Sequence, residues 1–271
     1  MKFMNFLKAI RSIGMKAILF RWLYISKLMN LKQLGKLAEQ LGNNARLDDA
    51  VISMDNQLIG VDIKGEIMVG WYEYQERQLI QKYLPNDEPV IELGASIGTV
   101  ACIVNRRLTS RDRHVVVEAN PNLMPILKKN RDMNRCQFKV IEAAIGYGST
   151  YITFFSNEGS LTGSIYQGGG KFMEIPAITL QSIAANVGFN HFNLICDIEG
   201  SEIGLIDHEL TFISEHVGLI LMETHYLTPY GEDGMRSVIE NLQKSGFEVI
   251  DRIHNNYFLR NRALAASNLQ K

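Results

Sequence analysis

A chain of 271 residues, 46% of them hydrophobic and with a formal net charge of −1, has the apolar content to bury a core and too little charge imbalance for intrinsic disorder. The charge is unevenly placed: the first 38 residues hold eight of the 28 Lys and Arg and no acid, whereas the remainder carries 20 basic against 29 acidic residues. An acidic body argues against a nucleic-acid substrate; in the basic arm Lys8 and Arg11 break any signal-peptide apolar run, and no charge-free stretch nears the ~20 residues of a membrane span.

Residues 1 to about 45 are rich in Leu, Met, Ala and Lys, lack Pro and predict helices, with Gly14 and Gly35 as lone interruptions. On a wheel at about 100° per residue, Lys2, Lys8, Arg11, Lys16 and Lys27 share one half. Phe3, Leu7, Ile10, Ala17, Phe20 and Ile25 fall mainly on the other, with Trp22 and Tyr24 near the seam and Arg21 breaking the pattern. Such a helix suits peripheral contact with an anionic membrane through residues 1–38, or a lid packed on the body with its basic face in water. A basic helical segment at 1–48 is therefore set apart from a body at 49–271.

Residues 50–70 switch to short β-type runs between turn residues, and "YQERQLIQKYL" then predicts a helix ended by Pro85. From there apolar runs alternate with helical patterns. "VIEL", "HVVVE", "FKVIEAAI", "FNLICD", "VGLILME" and "FEVIDR" predict strands; 98–108, 121–133, 201–214 and 232–245 predict helices. This alternation predicts an α/β, Rossmann-like, doubly wound and mostly parallel sheet. "HNNYFLR" follows the last run so closely that it predicts an antiparallel C-terminal hairpin strand. Cys102, Cys136 and Cys196 are odd in number and without a C-x-x-C spacing, which predicts buried thiols in a reducing cytoplasm and no metal site built on them.

"PVIELGASIGTV" (89–100) is the first strand of the alternation, a tight turn and a helix start. Aligned on Gly94, the G-x-G-x-x-G dinucleotide pattern fails at Ser96 and Thr99. What remains is acid-x-Gly-x-x-x-Gly: Glu92, then Gly94, Ala95, Ser96 and Gly98. That pattern suits S-adenosylmethionine, which has no pyrophosphate to wrap and carries an ammonium that Glu92 can attract, usually through water. Glu118, ending the next strand, is placed to accept hydrogen bonds from ribose hydroxyls. Ala119 and Asn120 would flank the adenine, and Ala143 and Ala144 would lie beneath it.

"LICDIEGSE" gathers Asp197, Glu199 and Glu202 around Gly200 at the end of the fourth strand. This edge faces the methyl donor, where an acceptor oxygen must be held in line and relieved of its proton. Glu199 and Glu202 equally suit the positive end of the following helix, and Asp197 equally suits orienting the cofactor. Glu223 and His225 project from the fifth strand's end, with His225 read as a candidate base or as a surface loop histidine. The Ser-, Thr- and Gly-rich segment 156–171 reads as a cover that could hydrogen-bond a polyol, or as a surface loop.

"VIELGASIGTVACIVNRRL", "VVVEANPNLMPILKKN", "AITLQSI", "LICDIEGSEIGLI" and "LILMETH" stand in the order and spacing of the FkbM-type methyltransferases, and the chain resembles that family over roughly residues 70–252. "DIEGSE" is the most specific element. The resemblance implies a class I, Rossmann-like methyltransferase that uses S-adenosylmethionine, typically on hydroxyls of sugars or polyketides. Relatives often carry a Lys two residues before the Asp; here Ile195 stands there, which points to a different acceptor pocket. The expectation is an O-methyltransferase acting on a sugar, glycoconjugate or small natural product, with Asp197, Glu199 or His225 as base. A nucleic-acid methyltransferase and a non-catalytic cofactor-binding protein are the rivals. "LICD" lacks the N-P-P-aromatic pattern of base-amino methylation, which weakens the first.

Overall fold

A computed structural model describes residues 13–156, 161, 163–165, 171–225 and 231–264. The basic segment forms two helices, α1 (Ile13–Ile25) and α2 (Leu31–Gln40). The second begins at a reciprocal cap, in which the Gln33 N–H donates to Asn30 and the Asn30 N–H donates to Gln33. Phe20, Leu23, Leu34 and Leu37 share one core with Ile97, Ala101, Leu123 and Phe138 of the body. The wheel is corrected here. Phe20 turns inward and Ile25 outward, and the outward row is Met15, Ile18, Trp22 and Ile25. Lys2, Phe3, Leu7, Lys8, Ile10 and Arg11 lie outside the described residues.

A hairpin of β1 (Asn44–Leu47) and β2 (Ala50–Ser53) spans the position expected to part segment from body. Two buried asparagines tie it down: the Ser53 N–H donates to Asn130 at 2.7 Å and the Val51 N–H to Asn134 at 2.8 Å. Residues 61–69, expected as β-type runs, are instead a helix, α3 (Val61–Val69), closed by left-handed Gly70. The β-branched residues misled because tertiary contact overrides their propensity. A Cβ on Gly35 would stand 1.7 Å from the Val61 carbonyl oxygen, and one on Gly65 would stand 2.2 Å from that of Leu31. The two helices therefore cross backbone against backbone, and the glycines were the signal.

Helix α4 (Tyr74–Tyr83) leads into the alternation: β3 (Val90–Leu93), α5 (Thr99–Arg107), β4 (His114–Glu118), α6 (Met124–Met133) and β5 (Lys139–Glu142). The expected run "FKVIEAAI" breaks at Ala143. Its end becomes β6 (Ala144–Ile145), which joins β7 (Tyr151–Ser156), β8 (Gly163–Ser164) and β9 (Lys171–Ile178) in a second, four-stranded sheet ordered β6-β9-β7-β8. That sheet was not expected, and it occupies both flanks of the segment read as a cover. The chain then returns through α7 (Leu180–Val187), β10 (Phe192–Cys196), α8 (Glu202–His216), β11 (Val217–Glu223), α9 (Gly231–Lys244), β12 (Phe247–Ile253) and β13 (Asn256–Asn261).

The main sheet is mixed and ordered β12-β13-β11-β10-β3-β4-β5. The β11–β10–β3–β4–β5 neighbours are parallel, and β13 runs antiparallel to β11 and β12, as the hairpin signal predicted. Alternating side chains serve two cores. Ile91, Leu93, Val115 and Val117 pack with Leu180, Leu205 and Leu242, while Val90, Ile195 and Leu221 pack with Leu79, Ile80 and Val104. Each such fully buried side chain contributes about 1.5–3 kcal/mol. The result is a broadly Rossmann-like α/β fold in which strand order reverses beside β3, the place where such sheets bind ligands.

Candidate functional site

A cavity of about 280 Å³ opens at the carboxyl ends of the central strands. The turn after β3 contributes Gly94 and Ser96, that after β4 Glu118 and Ala119, that after β5 Ala143 and Ala144, and that after β10 Asp197 and Glu199. Phe154 and Gly163 of the second sheet, with Ile165 just after β8, close it from outside. Ala95, Gly98 and Asn120 do not line it; they build its turns. The Gly98 N–H donates to Ala95 at 2.7 Å, and left-handed Gly98 starts α5.

Gly94 has φ +85°, and a Cβ there would stand 1.6 Å from the Asp197 carbonyl oxygen. The ends of β3 and β10 thus touch through backbone alone. Three residues of the lining, Glu73, Ser96 and Glu199, take left-handed backbone without being glycine (φ +50°, +50° and +52°). Such strain gathers where a site must hold groups at set angles.

Glu118 is held from both sides. Its Oε2 accepts the Ser96 N–H and its Oε1 the Asn120 N–H, each at 2.7 Å. Burial raises its pKa to about 7, against the pull of those N–H donors. Each oxygen keeps a lone pair for a hydroxyl. Beside it, Val117, Ala143, Ala144, Ile145 and Phe154 make an apolar slot. Small residues beneath, an aromatic above, a carboxylate at the rim and acids opposite fit the adenine, ribose and cationic end of S-adenosylmethionine.

Glu92 is a correction. It does not line the cavity; it is 1% exposed, and its Oε2 lies 3.4 Å from His114 Nε2 inside the sheet. Burial raises Glu92 to about 8 and lowers His114 to about 3, so both are neutral near pH 7. Period-two alternation explains it: Leu93, not Glu92, points to the cavity.

The acids after β10 form one cluster around His225. Its Nδ1 lies 2.9 Å from Glu202 Oε1, and its Nε2 lies 3.3 Å from Asp197 Oδ1 and 3.6 Å from Glu199 Oε2. Burial works against its charge, yet the Glu202 hydrogen bond and the three carboxylates raise its pKa to about 10. An imidazolium has no lone pair for a proton, which corrects the reading of His225 as base; nor does it line the cavity. Glu202, fully buried, also accepts the Ile198 N–H at 3.3 Å, so it holds His225 rather than merely charging the start of α8. Asp197 has its pKa raised by burial first, then by Glu223, with His225 opposing. Asp197, Glu223 and His225 offer ligand atoms within 4.8 Å of one another, a spacing that suits a metal ion only if His225 gives up its proton.

Sequence reasoning missed Tyr72 and Glu73, which precede α4 and reach the cavity; the Tyr72 hydroxyl lies 3.4 Å from Ser96 Oγ. The dense aromatic and acidic run "WYEYQE" (71–76) was the available signal. Of the segment 156–171, Leu161, Gly163 and Ile165 reach the cavity, and Ser164 Oγ donates to the Glu199 carbonyl at 2.9 Å. Residues 157–160, 162 and 166–170 lie outside the described residues.

Residues 92–249, more than half of the chain, match the family described as the methyltransferase FkbM domain. No curated protein matches the chain. Among solved structures it is similar to fibrillarin from Aeropyrum pernix with natively bound S-adenosyl-L-methionine, at 14% identity over 68% of this chain and 72% of that one, with a TM-score of 0.41. Precorrin-6y C5,15-methyltransferase from Geobacter metallireducens aligns at 14% identity over 69% and 85%, with a TM-score of 0.41. Ribosomal protein L11 methylase from Lactobacillus delbrueckii aligns at 12% over 68% and 74%, with a TM-score of 0.37. These structural matches are too loose to bear on substrate. The family match over the strands and turns that build the cavity bears on identity: the chain belongs to the FkbM methyltransferase family, an enzyme that transfers a methyl group from S-adenosylmethionine to an acceptor.

Proposed function

We propose that the enzyme methylates a hydroxyl, on a sugar, glycoconjugate or comparable polyol, with Asp197 as the base. One observation carries this: Asp197 lines the donor cavity with an Oδ1 that is buried, makes no hydrogen bond, and is faced by the charged His225 Nε2 at 3.3 Å. A hydroxyl set against that oxygen has a buried acceptor for its proton as its own oxygen takes the methyl. S-adenosylmethionine supplies the electrophilic methyl. Glu118 holds ribose hydroxyls; Ala119, Ala143 and Ala144 border the adenine; Gly94 and Ser96 shape the turn beneath. His225, fixed by Glu202, is a standing cation that orients Asp197 and Glu199. The reversal of strand order beside β3 supports reading the sheet as doubly wound. Incubation with methyl-labelled cofactor and cell extract should yield an alkali-stable methyl ether on a polyol. By calorimetry, Glu118→Ala should weaken cofactor binding by about 1–3 kcal/mol, the scale of a lost charged hydrogen bond, and an unchanged affinity would remove Glu118 from the site. Label on nucleic acid, or none above background, would end the hydroxyl reading.

We further propose that α1 rests on the anionic cytoplasmic face of a membrane. No helix among the described residues is long and apolar enough to cross one. Met15, Ile18, Trp22 and Ile25 form an exposed row at helical spacing, with Ile18 73% and Trp22 57% exposed. Exposed Arg21 flanks the row and exposed Lys27 follows just past the end of α1, each adding about 1 kcal/mol near an anionic surface, whereas Lys16 is turned to the Leu41 carbonyl. The protein should float with phosphatidylserine vesicles at low salt, and Ile18→Asp with Trp22→Asp should stay behind. Equal flotation of both proteins would refute the contact.

A further inference from the structure

A second cavity, of about 530 Å³, adjoins the first. Glu73 lines both, and Glu223 on its wall brings a carboxylate oxygen within 4.8 Å of one on Asp197. Its wall carries four carboxylates, Glu66, Glu73, Glu76 and Glu223, beside the exposed rings of Trp71 and Tyr74. Among the described residues that line it there is no Lys, Arg or His.

Glu76 is only 3% exposed, yet among the described residues its carboxylate has neither a hydrogen bond nor an ion pair. Glu73 Oε2 is likewise buried without a partner. The nearby cation, Arg77, is committed elsewhere: it donates to Asp48 at 2.8 Å and to the carbonyls of Tyr72 and Gly70. Buried carboxylates left unpaired cost free energy unless something meets them. These two face an open cavity, so their partner comes from outside. Burial first raises both their pKa values; for Glu76 the neighbouring carboxylates add to it, and for Glu73, raised to about 8, Glu92 and Glu223 add to it while Tyr72 and Arg77 oppose.

A single metal ion does not answer the geometry. Asp197, Glu223 and His225 are the only group among the described residues whose ligand atoms gather within 4.8 Å, and neither Glu73 nor Glu76 belongs to it. Carboxylates spread over a wide cavity, with the Trp71 and Tyr74 side chains on its wall, suit an organic ammonium: charge-assisted hydrogen bonds to the carboxylates and apolar contact between its C–H surface and the aromatic side chains.

We propose that this cavity binds an ammonium group of the methyl acceptor, which makes the acceptor an amino sugar or aminated polyol methylated at a hydroxyl near its charged nitrogen. The inference rests on the methyltransferase reading above. The nitrogen, held protonated by carboxylates, has no lone pair to attack; the neighbouring hydroxyl does.

The test is calorimetry of the full chain with S-adenosylhomocysteine bound. Free-amine sugars and aminocyclitols, among them glucosamine and 2-deoxystreptamine, are titrated against their N-acetylated counterparts. At least one free amine should bind about tenfold tighter than its N-acetyl partner, and Glu76→Gln should cut that preference to about threefold or less. Glu66→Gln, at the less buried end of the wall, should cut it in the same direction and serves if Glu76→Gln does not fold. Every pair binding alike, or a preference that survives both substitutions, would overturn the ammonium site alone. A protein that binds no S-adenosylhomocysteine would overturn the methyltransferase reading with it.

Discussion

Asp197→Asn should lower kcat for methyl transfer about 10²–10⁴-fold, the range a positioned general base contributes, while changing cofactor affinity far less. The side chain keeps its shape and its place at the end of β10, so the cavity keeps its wall; what is lost is the oxygen that can take a proton. The pH profile carries the sharper test. Burial, then Glu223, Glu199 and Glu202, raise the Asp197 pKa, and His225 opposes them. The wild-type rate should therefore fall as pH drops through a value above the ordinary carboxylate range, because the protonated acid cannot act as base. The Asn variant should lose that limb. Full turnover in the variant would transfer the role to Glu199, whose carboxyl also lines the cavity.

Gly94→Ala should be the most damaging single methyl in the molecule. Its Cβ would fall 1.6 Å from the Asp197 carbonyl oxygen and 2.7 Å from that carbonyl's carbon, and neither atom can rotate away. Left-handed backbone at φ +85° adds about 1–2 kcal/mol for any residue with a Cβ. The only relief is to part β3 from β10, which moves Ser96, Glu118 and Asp197 relative to one another. Urea denaturation should show a loss of about 3 kcal/mol or more, and calorimetry should find no cofactor binding. Near-native affinity in this variant would mean that the cofactor is not held at this edge.

The parallel strands were legible because each is a short apolar run closed by a polar residue, and because βαβ units leave that rhythm in any chain. The turn glycines and the strand-end acids Glu118, Asp197 and Glu199 could be read for the same reason: they occupy positions fixed by a strand's end. Three things were not legible. Glu92 looked like a ligand because it sits beside the glycine turn, but alternation along β3 sends it to the opposite face. His225 looked like a base because it is a histidine at a strand end; only its three carboxylate neighbours, two of them from the preceding strand's turn and one from the helix after it, show that it is charged. The second sheet and α3 were hidden because their strand and helix signals are weak locally and are decided by packing, backbone against backbone at Gly35 and Gly65, and around Phe154 in the small core it shares with Ala144 and Ile175.

The crossing of α2 and α3 has a mechanical meaning. Two helices that touch through their main chains at two glycines cannot slide past each other by a residue, because the next side chain along would jam the contact. The amino-terminal helices are thus a keyed part rather than a tether, and α1 is bolted to the same core through Phe20 and Leu23. A surface that takes hold of the outer row of α1 takes hold of the whole catalytic body at one tilt and one height. Under the proposed membrane contact, the acceptor would have to reach the cavity mouths from a fixed direction, and the geometry of the landing would select substrates alongside the chemistry of the pocket.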